Sequence, residues 1–363
     1  MGRVIAKVAY ANGGSYLTLG LPGFTITGTT VQFPYRIKDL LSPVNKTQGV
    51  SNFAAIYSQT GINLASVTIG TEVLNSAEIG SDLHLTGGFL WMYDGYAAVE
   101  HGFHLWPDNV LPVASGTGGT MIAQQYFYQA IYEWSDNQGN IHRSAPSIPV
   151  SVTTTGSTSS VTVNVPTLRL TYKTANPVKI VIYRWSTAQQ TYYQVTSIQV
   201  PVLNSTTVDS VSFLDTQPDT AILGNSIIYT EGGVIENIAA PAAADISLFK
   251  SRLFLLDAED RNLFWYSKQV IESTPVEMSD LFTMYVAPSI GSEGSTGRCN
   301  FSFPMDDKLL IFKDQAQYYI TGTGPDNTGA NNDFSEPVFI TATVGSRNKK
   351  SVVTIPQGVM YQS

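Results

Sequence analysis

Residues that could carry out chemistry are few and scattered along the chain. His101 and His104 stand three positions apart and follow Glu100. On a helix this spacing can place two imidazoles on one zinc ion. The flanking residues favour strand and turn instead, where positions i and i+3 face opposite sides. We therefore expect no metal site here and interpret both histidines as surface or packing residues.

Several acidic residues lie close together in the sequence and could supply the carboxylates of a hydrolase or a calcium site. Asp306 and Asp307 are one group, and segments 257–262 and 326–333 offer further oxygen ligands. Neither segment has the Gly and Glu spacing of an EF-hand loop, and the acidic residues stand where turns are expected. A glycan-degrading enzyme is an alternative that needs two carboxylates in one cleft. We predict a non-enzymatic protein without catalytic residues, cofactor or metal.

The charge of the chain argues against a protein that grips nucleic acid. The formal net charge is −8, and the densest basic spot consists of Arg347, Lys349 and Lys350. Tight binding to phosphates needs many cations on one face, because affinity comes from the release of counterions. A weakly acidic surface can instead face DNA that slides past without sticking. We therefore expect no specific nucleic-acid site.

The composition favours a chain that covers part of its surface with partners. Charged residues are only 13% of 363, about half of the usual share, which is a solubility hazard when every face meets water. A neutral extracellular β-protein is equally compatible with this composition. Cys299 is the only cysteine, so we expect a buried free thiol and no disulfide. No apolar stretch has the length of a membrane span, and we expect no membrane insertion.

Short β-strands are the pattern that recurs along the whole chain. Val, Ile, Thr and aromatic residues alternate with polar ones, and Gly, Asn and Asp mark turns between them. Helical periodicity is confined to three short candidates, Tyr35–Leu41, Ala244–Lys250 and Ser279–Phe282. We therefore predict an all-β protein.

The first of three predicted parts is residues 1–118, which we expect to be β-rich and to hold the first propeller-type strands. Leu90–Tyr93 and Tyr96–Glu100 flank the dipeptide Asp94-Gly95. This arrangement predicts a hairpin with a two-residue type I′ turn.

The second part, residues 119–221, has the spacing of an inserted β-sandwich. Roughly seven short strands, separated by turn residues, fit an immunoglobulin or fibronectin type III fold, and the lack of a cysteine pair favours the fibronectin type. Its aromatic side chains could stack on sugars, although strand alternation favours core positions for about half of them. These residues are Tyr126, Tyr128, Tyr132, Trp134, Tyr183, Trp185, Tyr192 and Tyr193.

The third part, residues 222–363, contains a diverged repeat with a period of about 50 residues. Its strand pairs are Arg252–Leu256 with Leu263–Ser267, Lys308–Phe312 with Gln317–Gly322, and a third that begins at Gly358. Two adjacent strands per period indicate β-propeller blades, which stack because a single blade cannot bury both of its faces. We expect the third unit to be incomplete in this chain.

These sequence motifs resemble those of a known family of viral proteins. Arg252-Leu253-Phe254 with the strand that follows it resembles a blade motif of podovirus tail-tube and nozzle proteins, and the repeat at Lys308 resembles their next blade. The resemblance covers most of residues 85–363. The blade-motif residues are Arg252, Leu253, Phe254, Trp265, Tyr266, Leu309, Ile311, Phe312, Tyr319, Gly322 and Gly358.

The resemblance implies a structural protein of a bacteriophage virion. It implies propeller-like blades with an added immunoglobulin- or fibronectin-like sandwich, and a location in the tail. Copies of the protein would form a six-fold ring, next to portal, adaptor and other tail proteins. The ring would enclose the channel through which genomic DNA leaves without specific binding. The alternative function is that of a receptor- or carbohydrate-binding tail module, an adhesin.

Overall fold

The structure, a computed structural model, describes residues 75–271, 274–286, 296–356 and 358–363. Before residue 75 it describes six short strands, which pair as three antiparallel hairpins. They are β1 (Ala9–Ala11) with β2 (Gly14–Tyr16), β3 (Thr25–Thr27) with β4 (Thr30–Gln32), and β5 (Phe53–Tyr57) with β6 (Leu64–Thr68). The helix predicted at Tyr35–Leu41 lies outside the described residues.

The later elements confirm the prediction of an all-β protein. The next strands are β7 (Ser76–Ile79), β8 (Asp82–Leu85), β9 (Trp91–Tyr93) and β10 (Ala98–Glu100). They are followed by β11 (Leu111–Ser115), β12 (Gln125–Ser135), β13 (Ile141–Arg143), β14 (Val150–Thr153), β15 (Ser160–Pro166), β16 (Lys179–Ser186), β17 (Thr191–Gln194), β18 (Val202–Leu203) and β19 (Ser210–Asp215). The last are β20 (Ala243–Phe249), β21 (Arg252–Asp257), β22 (Leu263–Tyr266), β23 (Thr283–Tyr285), β24 (Cys299–Met305), β25 (Lys308–Lys313), β26 (Gln317–Thr321), β27 (Val338–Thr341), β28 (Val353–Ile355) and β29 (Gly358–Met360). Among the described residues, helix is confined to α1 (Asp219–Ile222) and a 3₁₀ turn at Lys349–Ser351.

The chain forms two compact units. The discontinuous unit consists of residues 1–101 and 240–363, and the inserted unit consists of residues 102–239. The inserted unit extends beyond the predicted sandwich segment, 119–221, at both ends. Its insertion point in the sequence lies between β10 and β20.

Three sheets of the discontinuous unit repeat the same topology. Module 1 (β7–β10), module 2 (β20–β23) and module 3 (β24–β27) are each four antiparallel strands in sequence order. A half-module, the two-stranded hairpin of β28 and β29, follows module 3. The first strands of the modules are neighbours, because β20 lies beside both β7 and β24. Consecutive four-stranded meanders with adjacent first strands are the blade arrangement of a propeller.

The hairpins that open the modules define equivalent positions. The residue pairs that flank their two-residue turns are Ile79 with Asp82, Phe249 with Arg252, Met305 with Lys308, and Ile355 with Gly358. In module 2 the turn residues Lys250 and Ser251 both have positive φ, as a type I′ hairpin turn requires. The repeat found in residues 222–363 therefore extends to module 1, which lies in the part expected to hold the first propeller-type strands.

Two of the predicted helices are wrong. Ala244–Lys250 is largely strand β20, which pairs with β21. Ala244, Ile246 and Leu248 alternate with Asp245 and Ser247 along the segment, which is the period-two pattern of a strand, and nearly all of these side chains are buried. Ser279–Phe282 is a single turn, closed by a bond from the Phe282 N–H to the Ser279 carbonyl at 3.2 Å.

The predicted hairpin of module 1 forms, but its predicted turn is wrong. Strands β9 and β10 pair from Tyr93 to Ala98, which leaves a loop of four residues in place of a type I′ turn. The Asp94 carboxylate accepts hydrogen bonds from the N–H groups of Tyr96 at 2.9 Å and Ala97 at 2.8 Å. This side-chain turn stabilises the longer loop.

The inserted unit is a sandwich of two antiparallel sheets. One sheet has the order β11-β15-β19, and the other has β13-β12-β16-β17, with β14 paired to β12 and β18 paired to β16. Two tyrosines of β12 join the sheets: Tyr128 donates to the Asp215 carboxylate and Tyr132 to the Pro166 carbonyl, both at 2.9 Å. Alternate residues of β12 and β15 are buried between the sheets.

Candidate functional site

The predicted blade-motif residues of module 2 form part of its core. Arg252, Leu253 and Phe254 on β21 are at most 1% exposed. On β22, Tyr266 is buried and Trp265 is half-buried. The Trp265 indole donates to the Asp257 carboxylate at 2.9 Å.

The equivalent residues of module 3 and the half-module have similar roles. Leu309, Ile311 and Phe312 on β25 are buried, and Tyr319 on β26 is half-buried. Gly322 follows β26 with a φ of +108°, and a Cβ there would lie 2.5 Å from the Asp333 carbonyl oxygen. Only glycine fits this backbone without strain. Gly358 opens β29, at the position equivalent to Arg252.

Arg252 connects module 2 with the loop between β26 and β27 of module 3. Its guanidinium donates to the carbonyls of Ser267, at 2.9 Å, and Pro325. Three aromatic rings surround its guanidinium carbon at 5.7 to 5.9 Å, those of Tyr266, Phe282 and Phe334. Burial lowers the pKa of Arg252 below its ordinary value, and the rings and the two carbonyls replace part of the hydration that the guanidinium loses.

A carboxylate that the sequence analysis did not single out joins all three modules and the half-module. Asp245 on β20 is fully buried. Its Oδ1 accepts from Lys349 Nζ at 2.7 Å and from Asn75 Nδ2 at 3.2 Å. Its Oδ2 accepts from the Ser302 N–H at 2.9 Å.

These four residues come from four separate parts of the discontinuous unit. Asn75 precedes β7, Ser302 lies on β24, and Lys349 lies in the 3₁₀ turn before β28. Lys349 also donates to the Ile246 carbonyl at 2.5 Å. We call Asn75, Asp245, Ser302 and Lys349 the central network. Because a buried carboxylate is stable only when donors surround it, the network favours one arrangement of the first strands.

The half-module packs one face on module 3 and exposes the other. Val359 and Tyr361 pack against the buried aromatic cluster of module 3. Val353 and Met360 are directly paired across β28 and β29, and are 54% and 58% exposed. An apolar cross-strand pair on a two-stranded sheet is a surface that another sheet or strand can cover.

Strand β27 is the outer strand of module 3. Among the described residues it pairs with β26 alone. Its consecutive residues Val338, Phe339 and Ile340 are 40%, 40% and 46% exposed. An apolar edge strand of this kind is a template for pairing with another chain.

The predicted turn roles of the acidic segments are confirmed. Asp257 Oδ1 accepts from the N–H groups of Glu259 at 2.7 Å and Asp260 at 3.0 Å. Asp326 accepts from Thr328 Oγ1 at 2.6 Å and from two N–H groups of its own loop. These bonds lower the pKa of Asp326 to about 2. Donors within the loops, together with the Trp265 indole in the case of Asp257, therefore occupy acceptor positions of these two carboxylates.

The cysteine and two histidines lie in the interior of the discontinuous unit. Cys299 is a buried free cysteine, as predicted, and burial raises the pKa of its thiol to about 12. His84 and His101 are at most 1% exposed, and their ring centroids are 5.2 Å apart in an edge-on contact. His104 is exposed and belongs to the inserted unit.

Half of the aromatic residues considered for sugar stacking, those on β12, lie in the core of the sandwich, and Tyr183 lies in a separate buried cluster with Ile131 and Ile228. Five of them are at most 3% exposed, namely Tyr126, Tyr128, Tyr132, Trp134 and Tyr183. Beside them Arg184 is fully buried, with Nη1 2.5 Å from Asp215 Oδ2. Burial opposes this charge, but Asp215 keeps the pKa of Arg184 above its ordinary value. This group is a buried ion pair within the core.

The inserted unit also contains a cleft that the sequence did not indicate. Its volume is about 550 Å³, within the range of small-molecule sites. It is lined by the loop after residue 102, by segment 145–149 and by segment 236–239. Trp106, which is 50% exposed, and Glu236 are among its lining residues. Sequence reasoning missed it because its walls are far apart in the chain and none carries a motif.

The comparisons with known proteins add no relative. No protein-family model matches the chain, and no curated protein is significantly similar to it. No helix in the described part of the chain has the length and apolar character to span a membrane.

Proposed function

We propose that the protein is a non-enzymatic structural component of a bacteriophage tail, and that its copies pack together as a closed ring. The observation that carries this proposal is the contrast between the interior and the surface of the discontinuous unit. The central network joins the three modules and the half-module from within. The half-module and β27 at the same time present apolar strand surface to the outside.

The central network and Arg252 support a mechanical role. Both use charged side chains that are buried and hydrogen-bonded between modules. Removing one partner of a buried ion pair leaves an uncompensated charge, which penalises rearrangement strongly. A unit held in this way keeps its shape under load, as the wall of a conduit must.

The exposed strand surfaces support assembly with further copies. Val353 with Met360, and the residues of β27, are apolar and exposed on elements that have few strand neighbours. A low-charge protein that left such surfaces in water would tend to aggregate. Packing against an identical chain buries them and closes the sheets.

The net charge of −8 supports a channel through which DNA passes. A protein with few clustered cations releases few counterions from DNA and therefore binds it weakly. In this proposal the ring encloses the exiting genome, and portal, adaptor and other tail proteins are its neighbours. The sequence resemblance to tail-tube and nozzle proteins supports that placement.

The oligomeric state of the purified full chain tests this proposal. Sedimentation velocity over a range of concentrations is expected to give one large species of defined mass. A single monomeric species at all concentrations would contradict self-assembly. A broad distribution without a preferred size would contradict a closed ring.

The adhesin is a second candidate function. Its support is the cleft of the inserted unit, where an exposed indole and a carboxylate lie together. A tail protein can both build a wall and bind a surface, so this function is compatible with the proposed ring.

A further inference from the structure

The loop that carries Trp106 into the cleft is anchored at its base by a buried lysine. Lys173 is only 2% exposed and donates its Nζ to the Gly102 carbonyl at 2.6 Å. The same ammonium group lies 5.0 Å from the centroid of the Phe103 ring. The loop after residue 102, which forms one wall of the cleft, is therefore fixed within the inserted unit.

Hydrogen bonds also fix the other two walls of the cleft, segments 145–149 and 236–239. The Tyr229 hydroxyl donates to the Ser144 carbonyl and accepts from the Asn237 N–H, both at 3.0 Å. Gln129 Nε2 donates to the Ser147 carbonyl at 2.9 Å. A cleft held by such bonds is pre-organised, so that little ordering cost opposes a ligand.

The lining combines an aromatic platform with hydrogen-bond acceptors. Trp106 and Ile148 are 50% and 71% exposed, and the Glu236 side chain, on segment 236–239, is exposed as well. Since Gln129 uses its amide nitrogen for Ser147, its carbonyl oxygen is the acceptor that it offers to a ligand. The C–H face of a pyranose packs on an indole, and its hydroxyls donate to carboxylate and amide oxygens. We propose that this cleft binds a neutral pyranose residue of a glycan.

The charges of the side chains that line the cleft determine which class of glycan it can bind. Lys and Arg are absent from the residues that line it, all of which lie in the described part of the chain, and His104 is the basic side chain among them. Glu236 disfavours a ligand carboxylate, sulfate or phosphate, because burying like charges without a cation is costly. One carboxylate and one imidazole, those of Glu236 and His104, are an incomplete ligand set for a metal ion. Neutral sugars, with many hydroxyl donors, are the class that fits.

A glycan array probed with the intact protein tests the proposal, followed by titration calorimetry with the best neutral oligosaccharide. Trp106→Ala is expected to weaken binding about tenfold, because the stacking platform is lost. Glu236→Gln keeps the shape of the side chain and is expected to weaken binding by a smaller factor. Tyr172→Ala is the matched control, because Tyr172 is 59% exposed in the same unit but does not line the cleft.

Several results would overturn the proposal. They are the absence of any bound neutral glycan, a preference for sialylated or sulfated glycans, or unchanged affinity in Trp106→Ala. Competition for the cleft by a proline-rich peptide, with no effect of sugars, would assign it to a protein partner instead. Sedimentation of the same variants keeps ring assembly separate, since Trp106→Ala is expected to assemble like the unmodified protein.

Discussion

Asp245 shows how a single side chain can fix the arrangement of several sheets. A carboxylate without water is stable only when donors replace its hydration shell. Here the donors come from Asn75, Ser302 and Lys349, at 2.7 to 3.2 Å. Displacing any of these segments would leave a buried charge with an incomplete set of partners.

We predict that Asp245→Asn lowers the free energy of unfolding by about 3 kcal/mol, because it removes the charge that Lys349 neutralises in the interior. Urea denaturation followed by intrinsic fluorescence measures this loss. The control is Asp307→Asn, since Asp307 pairs with Lys308 at 2.8 Å at the surface, where ion pairs contribute little. Equal denaturation midpoints for Asp245→Asn and the unmodified protein would show that the central network is dispensable.

Buried phenols and the thiol predict a loss of stability at high pH. Burial raises the pKa of Tyr132, and that of the Cys299 thiol, to about 12. In the unfolded chain these groups ionise near pH 10 and 9. The folded state therefore holds its full stability below about pH 9 and loses it as pH rises towards about 12.

Denaturation midpoints at about pH 8 and about pH 11 measure this dependence, and we expect the second to be lower. Tyr132→Phe is expected to show a smaller decrease between the two pH values, since it has no phenol to ionise. The same midpoint at both pH values would contradict the burial of these groups.

At the scale of elements, the backbone conformation at the end of β26 requires one glycine, Gly322. Gly322 has a φ of +108° and a carbonyl oxygen 2.5 Å from where its Cβ would lie. Gly224 has a φ of +91° but no atom within 4 Å of that position, so it controls for backbone strain alone.

We predict that Gly322→Ala destabilises the protein by about 2–4 kcal/mol, and Gly224→Ala by about 1–2 kcal/mol. The first substitution adds a clash to the strain that both share. Thermal unfolding of the two variants gives the comparison. A smaller effect at Gly322 than at Gly224 would mean that the bridge between Gly322 and Phe334 is not rigid.

The exposed face of the half-module is the surface on which the proposed assembly is expected to depend most. We predict that the double substitution of Val353→Asp and Met360→Asp converts the assembled protein into smaller species, because paired carboxylates would be buried at an interface. Sedimentation velocity measures the change. Leu170→Asp is the control, because Leu170 is 82% exposed in the inserted unit. Assembly of the double variant at the original mass would place the interface elsewhere.

Local sequence patterns predicted many of the strands. The repeated apolar strands at Leu253 and Leu309 predicted modules 2 and 3, because burial on both faces demands continuous apolar residues. The error at β20 has another cause, because the alternation of Ala244, Ile246 and Leu248 with Asp245 and Ser247 is a strand pattern that was interpreted as a helix. Propeller-type strands were expected in residues 1–118, but the repeat was not traced to module 1, because its equivalent strand begins Asp82-Leu83-His84 and has little of the aromatic character of the other modules.

The candidate sites could not be predicted in the same way, because their residues are distant in sequence. Asp245 and Lys349 meet only after the modules have packed, and neither stands in a motif. The cleft combines Trp106 with Glu236, which no local spacing connects. The turn roles of Asp257 and Asp326 could be predicted, because the N–H groups that donate to these carboxylates lie within a few residues in the sequence.

At the scale of the whole molecule, the chain combines two folding units with different tasks. The discontinuous unit holds the repeated modules and the exposed strand surfaces. The inserted unit is a sandwich with its own core and cleft. We propose that the first builds the wall of the tail, while the second provides a surface for recognition.

Electron micrographs of the purified full chain test the central claim most directly. Averaged particle images are expected to show closed rings of identical copies, with six-fold symmetry and a central channel. Particles of a single copy, or open assemblies of irregular size, would contradict the proposal that this protein functions as a self-assembled wall.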